Sequence, residues 1–143
     1  MLAFVLLASP CHCTRLRRAA QRLTHVYDAA LAGTGLKITQ FSLLRAIERE
    51  GEPTLGRLSQ ATGLDRSTLG RDVRVLRRAG LVALGHGGDG RTTVVALTEA
   101  GRERVRAALP QWERAQGRLE EALGPESRSQ LETILGRVAA LDV

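Results

Sequence analysis

Between residues 14 and 32, apolar residues recur at three- and four-residue steps. Leu16, Ala19, Ala20, Leu23, Val26, Tyr27, Ala30 and Leu31 form one stripe, with Arg15, Arg18 and Arg22 on the other side. That spacing is helical. Thr14 is the expected cap and Gly33-Thr34-Gly35 the expected stop. A second helix, capped by Thr39 and ending near Arg49, turns Phe41, Leu44 and Ile47 inward before Gly51-Glu52-Pro53 breaks it. Residues 54–80 then hold two helices around a short turn. The first runs over about Thr54–Thr62 with Leu55, Leu58 and Ala61 inward, and Gly63 and Leu64 make the turn. Asp65 caps the second, which carries Leu69, Val73 and Leu76 as its stripe and ends near Arg78, before Gly80.

The period changes after Gly80. Residues 81–84 and 92–97 read as short strands, the second rich in β-branched residues. Residues 85–91 between them, with four glycines in six positions, are too glycine-rich for regular structure and imply a mobile tip. Thr98 caps a helix that extends to about Leu123, with Pro110 expected to kink or split it. Gly124-Pro125 is a break, followed by a last helix to about Leu141 with Leu131, Ile134, Leu135 and Val138 as its stripe. The expected fold is mainly α with a small β-hairpin.

Composition narrows the function. The chain has 143 residues, room for one domain. Aromatics are only 3%, so the core must be aliphatic. No apolar run approaches the ~18 residues of a membrane span, so no membrane partner is expected. The apolar start, Met1–Ala8, lacks the preceding basic residues and the clean cleavage site of a signal peptide, which points to the cytoplasm and to a segment packed on the core or a partner. Two cysteines exclude a disulfide scaffold or a four-thiolate zinc site within one chain. Three scattered histidines, and no phosphate loop or metalloprotease motif, argue against an enzyme. Net charge is +6, and Lys37 is the single lysine. The charge divides as +3 over residues 1–53, +4 over 54–91 and −1 over 92–143. The middle is therefore the most basic part for its length, a field that suits a polyanion.

That basic middle is also where the pattern becomes specific. Leu55-Gly-Arg-Leu-Ser-Gln-Ala-Thr-Gly-Leu-Asp-Arg-Ser-Thr-Leu-Gly-Arg-Asp-Val-Arg-Val-Leu76 has what a helix-turn-helix requires. Ala61 is small where the helices touch, Gly63 tolerates the turn, and Leu58, Leu64, Leu69 and Leu76 serve as wedges. The second helix offers Arg66, Ser67, Thr68 and Arg71 at its N-terminal end. Arginine pairs bidentately with guanine, and hydroxyls reach phosphate or base edges. The hairpin then acts as a wing, with Arg91 near its tip suited to a narrow minor groove. Asp89 can bond the Arg91 guanidinium or tie the tip together. A plain helical hairpin with a solvated arginine face, or a winged helix used only for protein contacts, is the alternative.

Leu58–Leu64, the Arg66–Arg78 helix with its Leu76-Arg-Arg-Ala-Gly-Leu81 end, Asp89-Gly-Arg91 and Ala96-Leu-Thr-Glu-Ala-Gly101 together resemble the MarR family of winged helix-turn-helix transcriptional regulators. Ile38–Leu44 resembles that family's second helix, so the likeness spans roughly residues 14–141. It implies a homodimer on a palindromic double-stranded DNA operator, with residues 1–35 and 99–143 as dimerisation helices and 36–98 as the DNA-binding lobe. The flanking apolar stripes point the same way, since one chain gives them little to cover. By resemblance, Ser67, Thr68, Arg71 and Arg74 fall on the recognition helix, and Asp89 and Arg91 on the wing.

The family usually represses transcription and releases DNA when a small effector binds, which implies such an effector here and no required cofactor. Arg17, His25, Tyr27 and Phe41 are the candidate pocket residues; core packing for Tyr27 and Phe41, or a surface ion pair for Arg17, is the plainer reading. Cys11-His12-Cys13 is a second candidate switch. Cationic neighbours at Arg15, Arg17 and Arg18 and a helix N-terminus favour thiolate, the reactive and metal-binding form. A ring closed between Cys11 and Cys13 would be strained, so a bridge to another subunit or a soft metal shared at the dimer interface is easier. Family members that sense peroxides through an N-terminal cysteine favour redox sensing. Two inert, buried thiols are the plain alternative.

Overall fold

The computed structural model describes residues 8–142. Their order is α1 (His12–Leu31), a 3₁₀ turn (Ala32–Thr34), α2 (Ile38–Glu50), α3 (Leu55–Thr62), α4 (Arg66–Arg78), β1 (Val82–His86), β2 (Thr93–Leu97) and α5 (Glu99–Ala139). Five helices and a two-stranded antiparallel hairpin confirm the expected fold class.

Three helix starts carry side-chain caps, Asp65 and Thr98 as expected and Thr54, read in the sequence as the first helical residue, in addition. The side chains of Thr54, Asp65 and Thr98 accept from the backbone N–H of Arg57, Thr68 and Gly101, satisfying donors that a helix start leaves open. Two starts differ. Cys11, not Thr14, is the N-cap of α1, and Lys37, not Thr39, that of α2. In α2 the cap is reversed: Gln40 Oε1 reaches back to accept from the Lys37 N–H at 2.9 Å.

The core lies where α2, α3, α4 and the hairpin meet the first half of α5. Leu44, Ile47, Leu58, Leu69, Leu76, Val95 and Val105 are almost wholly buried in it, each leucine contributing about 1.5–3 kcal/mol on removal from water. In the turn between α3 and α4, Gly63 takes φ +70° and donates to the Ser59 carbonyl at 2.9 Å, while the Ser59 hydroxyl donates to the Leu64 carbonyl at 2.7 Å. Leu64 itself is no wedge: its side chain stays 37% exposed.

β1 pairs with β2 from Val82↔Leu97 to His86↔Thr93, so Gly85 and His86, expected in an irregular loop, belong to the strand. β2 also takes a bridge from Thr54↔Val94, and the Val95 N–H donates to the Pro53 carbonyl at 2.8 Å. The wing is thus fastened to the start of α3 as well as to β1. At its other end the Thr98 hydroxyl donates to the Gly80 carbonyl at 2.6 Å, and a Cβ on Gly101 would overlap the Leu81 carbonyl oxygen. The close approach of α5 to β1 therefore needs glycine there.

Pro110 does not split α5. The one non-helical residue inside it is Gly124, at φ +73° and ψ +166°, directly before Pro125. Pro110 is exposed, while Val105, Ala108 and Ala115 on either side of it are buried, so packing keeps the helix continuous across the missing hydrogen bond. Past Gly124 the helix finds little to pack on: Ile134, Leu135, Val138 and Leu141 are 51%, 50%, 44% and 70% exposed.

Candidate nucleic-acid interface and effector cavity

A helix presents residues four and then three apart on one face. On α4 that face holds Ser67, Arg71 and Arg74, all exposed, while Leu69, Val73 and Leu76 anchor the opposite side. Arg66 is exposed too, and its guanidinium lies over Gly56 at the start of α3. Thr68 stands apart. It is half-buried, its hydroxyl donates to Asp65 Oδ2 at 2.7 Å and its N–H to Asp65 Oδ1 at 2.9 Å. These bonds hold the Asp65 carboxyl below the usual aspartate range. Thr68 thereby fixes the start of α4 and faces the interior rather than the Arg71 side.

On the wing, Asp89 ties the tip together. Its Oδ1 accepts from the N–H of Arg91 at 3.0 Å and of Thr92 at 2.9 Å, and its Oδ2 accepts from the Thr92 hydroxyl at 2.7 Å. The Thr92 bonds come first among the causes that lower its carboxyl to about 2. Arg91 is left exposed at the tip, with no ion pair to Asp89. Among the described residues, Arg66, Arg71, Arg74, Arg77, Arg78 and Arg91 all lack an ion pair. An arginine-rich surface with its own carboxylates turned away or consumed by caps has charge to give to a polyanion.

Behind α4 lies an open cavity of about 760 Å³, walled by α2, the α3–α4 turn and α4, with Thr24 of α1 and Trp112 of α5. The size is that of small-molecule sites. Phe41 stacks against Trp112 with ring centroids 6.0 Å apart and planes 29° from parallel. Of the four expected pocket residues only Phe41 lines this cavity. Tyr27 is buried and donates its hydroxyl to Gln116 Oε1, joining α1 to α5; burial, then Glu120, pushes the phenol up. Arg17 lines a separate depression along α1, and His25 is exposed away from both. Trp112, Thr68, Asp72 and Arg49 are cavity residues that the sequence reading missed as such. The signal available was Trp112, the single tryptophan of a chain poor in aromatics.

Cys11 and Cys13 are both free and exposed, not buried. Cys11 stands at the N-cap position of α1 without a side-chain capping bond, and the nearby Thr14 hydroxyl, then the Thr14 N–H, hold its thiol below the usual cysteine range. The arginines expected to do this contribute nothing resolvable. His12 begins the helix between them. Among the described residues no three His, Cys, Asp or Glu side chains converge on a metal-sized site, so Cys11, His12 and Cys13 do not make one within a single chain. Also among the described residues, no helix is long and apolar enough to cross a membrane.

Comparison with known proteins bears on this arrangement. Residues 34–92, from the end of the 3₁₀ turn to the wing tip, match the model of the MarR family. The transcriptional repressor NicR of Pseudomonas putida is 33% identical over 96 residues, 66% of this chain and 61% of that protein, so the chain spans about three fifths of that curated relative. The regulator MosR of M. tuberculosis, solved in complex with DNA, is 35% identical with a TM-score of 0.78, over 92% of this chain and 99% of that one. BpsR of Bordetella bronchiseptica, whose DNA binding is regulated by 6-hydroxynicotinic acid, is 27% identical with a TM-score of 0.83, over 94% of this chain and 96% of its own. With its helix-turn-helix, wing and flanking helices all in place, the chain belongs to the MarR family of winged helix-turn-helix transcriptional regulators.

Proposed function

We propose that this chain is a cytoplasmic, dimeric repressor that binds a palindromic operator and lets go when its state is changed at one of two places. Residues 36–98 are assigned to the DNA-binding lobe, and the flanks 1–35 and 99–143, of which 1–7 and 143 lie outside the described residues, to dimerisation. The observation that carries the reading is the face of α4: Ser67, Arg71 and Arg74 exposed in one row, with Arg91 on the wing, and none of these arginines ion-paired among the described residues. Arg66 adds charge beside that row, and Asp89 serves by shaping the tip that carries Arg91. Thr68 contributes through the cap. A two-fold dimer sets two such helices about one DNA turn apart.

Release is assigned to a small effector in the cavity behind α4, or to modification or soft-metal binding at Cys11 and Cys13. The cavity reading is supported by its wall, which includes α4 itself, so a ligand there shares a helix with the DNA-reading residues. The thiol reading is supported by exposure of both cysteines and by the Thr14 donors beside Cys11, which favour its thiolate. A metal would need donors from both subunits.

Fluorescence anisotropy on the duplex upstream of the chain's own gene, before and after mild thiol oxidation, tests this. Tight, sequence-selective binding that weakens with salt is expected of phosphate contacts. Loss of binding on oxidation, abolished in the Cys11→Ser, Cys13→Ser double variant, assigns the switch to the thiols. Persistence of binding removes thiol oxidation and leaves a small effector or a soft metal as the switch. Binding without sequence selectivity on any duplex contradicts the repressor reading and leaves a module for protein contacts.

A further inference from the structure

Glycine inside an α-helix is destabilising relative to alanine, so its presence there has a reason when a side chain would stand in the way of something. Gly70 lies in the middle of α4, in helical conformation and not at a positive φ. The chain itself does not require it: among the described residues, a Cβ added there would meet no atom within 4 Å. Gly56, the helical glycine of neighbouring α3, differs, since its missing Cβ would stand 3.3 Å from the Arg66 guanidinium. Gly117 and Gly136, as open as Gly70, lie on the α5 flank assigned to the partner copy. Gly70 instead lies one helical turn after Arg66 and one before Arg74, and three residues after Ser67. Its bare surface therefore borders the row that carries Ser67, Arg71 and Arg74.

What a Gly70 side chain would obstruct belongs to a partner, and the arginines around it, without ion pairs among the described residues, select a duplex. Gly70 is the fifth residue of α4, past the N–H groups that a helix start leaves open, so its backbone polar groups are bonded within the helix. What it presents outward is C–H surface. In the major groove arginine pairs with guanine, and the apolar group on the base edges is the thymine 5-methyl. We infer, resting on the regulator reading above, that α4 comes closest to the duplex at Gly70 and selects thymine there, the bare Cα leaving room for the 5-methyl group. Gly70 is then a specificity-determining residue that acts through the side chain it lacks.

Fluorescence anisotropy tests this with a duplex that the unaltered full chain selects from a random pool, and with the same duplex after its half-sites are scrambled. Gly70→Ala is expected to keep the dimer and to melt at least as high as the unaltered chain. It should bind the selected duplex at least about tenfold more weakly. Its affinity for the scrambled duplex should stay within about twofold, because phosphate contacts carry that binding. Uracil in place of thymine removes only the methyl group. At one symmetry-related pair of positions it should weaken the unaltered chain about threefold or more. In Gly70→Ala the same exchange should restore binding, because the methyl that meets the new Cβ is gone. A lowered melting temperature would mean that the fold itself needs the glycine, and overturns the inference. So does an unchanged affinity of Gly70→Ala for the selected duplex, an equal loss on both duplexes, or a selected duplex with no thymine whose methyl matters. In each of these cases selective binding by the unaltered chain still keeps the regulator reading. If the pool yields no selected duplex, the regulator reading falls and the inference falls with it.

Discussion

The face of α4 and the last stretch of α5 each leave something unanswered, and the two are opposite in kind. On α4 and the wing it is charge: Arg71, Arg74 and Arg91 stand exposed without ion pairs among the described residues, above a fully buried apolar stripe. Beyond Gly124 it is apolar surface: Ile134, Leu135, Val138 and Leu141 are 44% to 70% exposed. There the nearby charge is partly satisfied, with Arg128 on Glu120 at 3.5 Å. Unpaired arginines ask for a polyanion and contiguous exposed aliphatics ask for a protein surface. One chain therefore advertises two different partners at two ends, which is what a DNA-binding dimer needs.

The contrast can be broken at either end. The largest effect is expected from Ile134→Asp with Leu135→Asp. Each side chain is lost twice in a symmetric dimer, and about 4 kcal/mol or more, a thousandfold in dimer Kd, should go with them. Sedimentation would show monomers that retain the helical spectrum. Unchanged dimers would move the interface elsewhere. Next, Arg71→Ala should cost about 1–3 kcal/mol of specific DNA binding while the dimer stays intact. An unchanged affinity would remove Arg71 from the interface. Arg74→Ala, if it meets phosphate, should weaken binding to all sequences alike and lower the salt slope by about one.

The smallest effect concerns the wing tip. The Asp89 carboxyl titrates at about 2, below the usual 3.8, because its charged form accepts three hydrogen bonds. The sign follows from that direction. Its contribution to tip order is complete above 3.8 and is lost as pH falls through about 2. The amide resonances of Arg91 and Thr92 should therefore keep their positions at pH 4 and move with a midpoint near 2. A midpoint near 3.8 would mean that the carboxylate does not hold the tip.

Legibility in the sequence followed the range of the interactions. Asp65, Thr98 and the Leu69, Val73, Leu76 stripe are local patterns, and the helices they define are those observed. Long-range events were not legible. Pro110 carries a local breaking signal, overridden by Val105, Ala108 and Ala115 packing on either side of it. The Thr54↔Val94 bridge joins segments separated by the whole helix-turn-helix, so no window along the chain contains it. The cavity is the clearest case. Phe41 was a candidate and lies within the family-like Ile38–Leu44 stretch, whereas Asp72 and Trp112 come from α4 and α5 and meet at the cavity only once the chain has folded. Thr68 shows the converse: a polar residue early in a recognition helix reads as a base contact, yet its hydroxyl is held by Asp65.

The central claim is that two copies, joined through their flanking helices, present paired α4 faces to one duplex. Sedimentation equilibrium of the chain with a labelled duplex from upstream of its own gene tests it most directly, because mass reports stoichiometry and salt titration reports charge together. The account predicts two chains per duplex, an affinity that falls steeply with salt, a complex weakened in the Arg71→Ala variant, and its loss in the Ile134→Asp, Leu135→Asp variant. A one-to-one complex, or binding indifferent to salt and to Arg71, would contradict it.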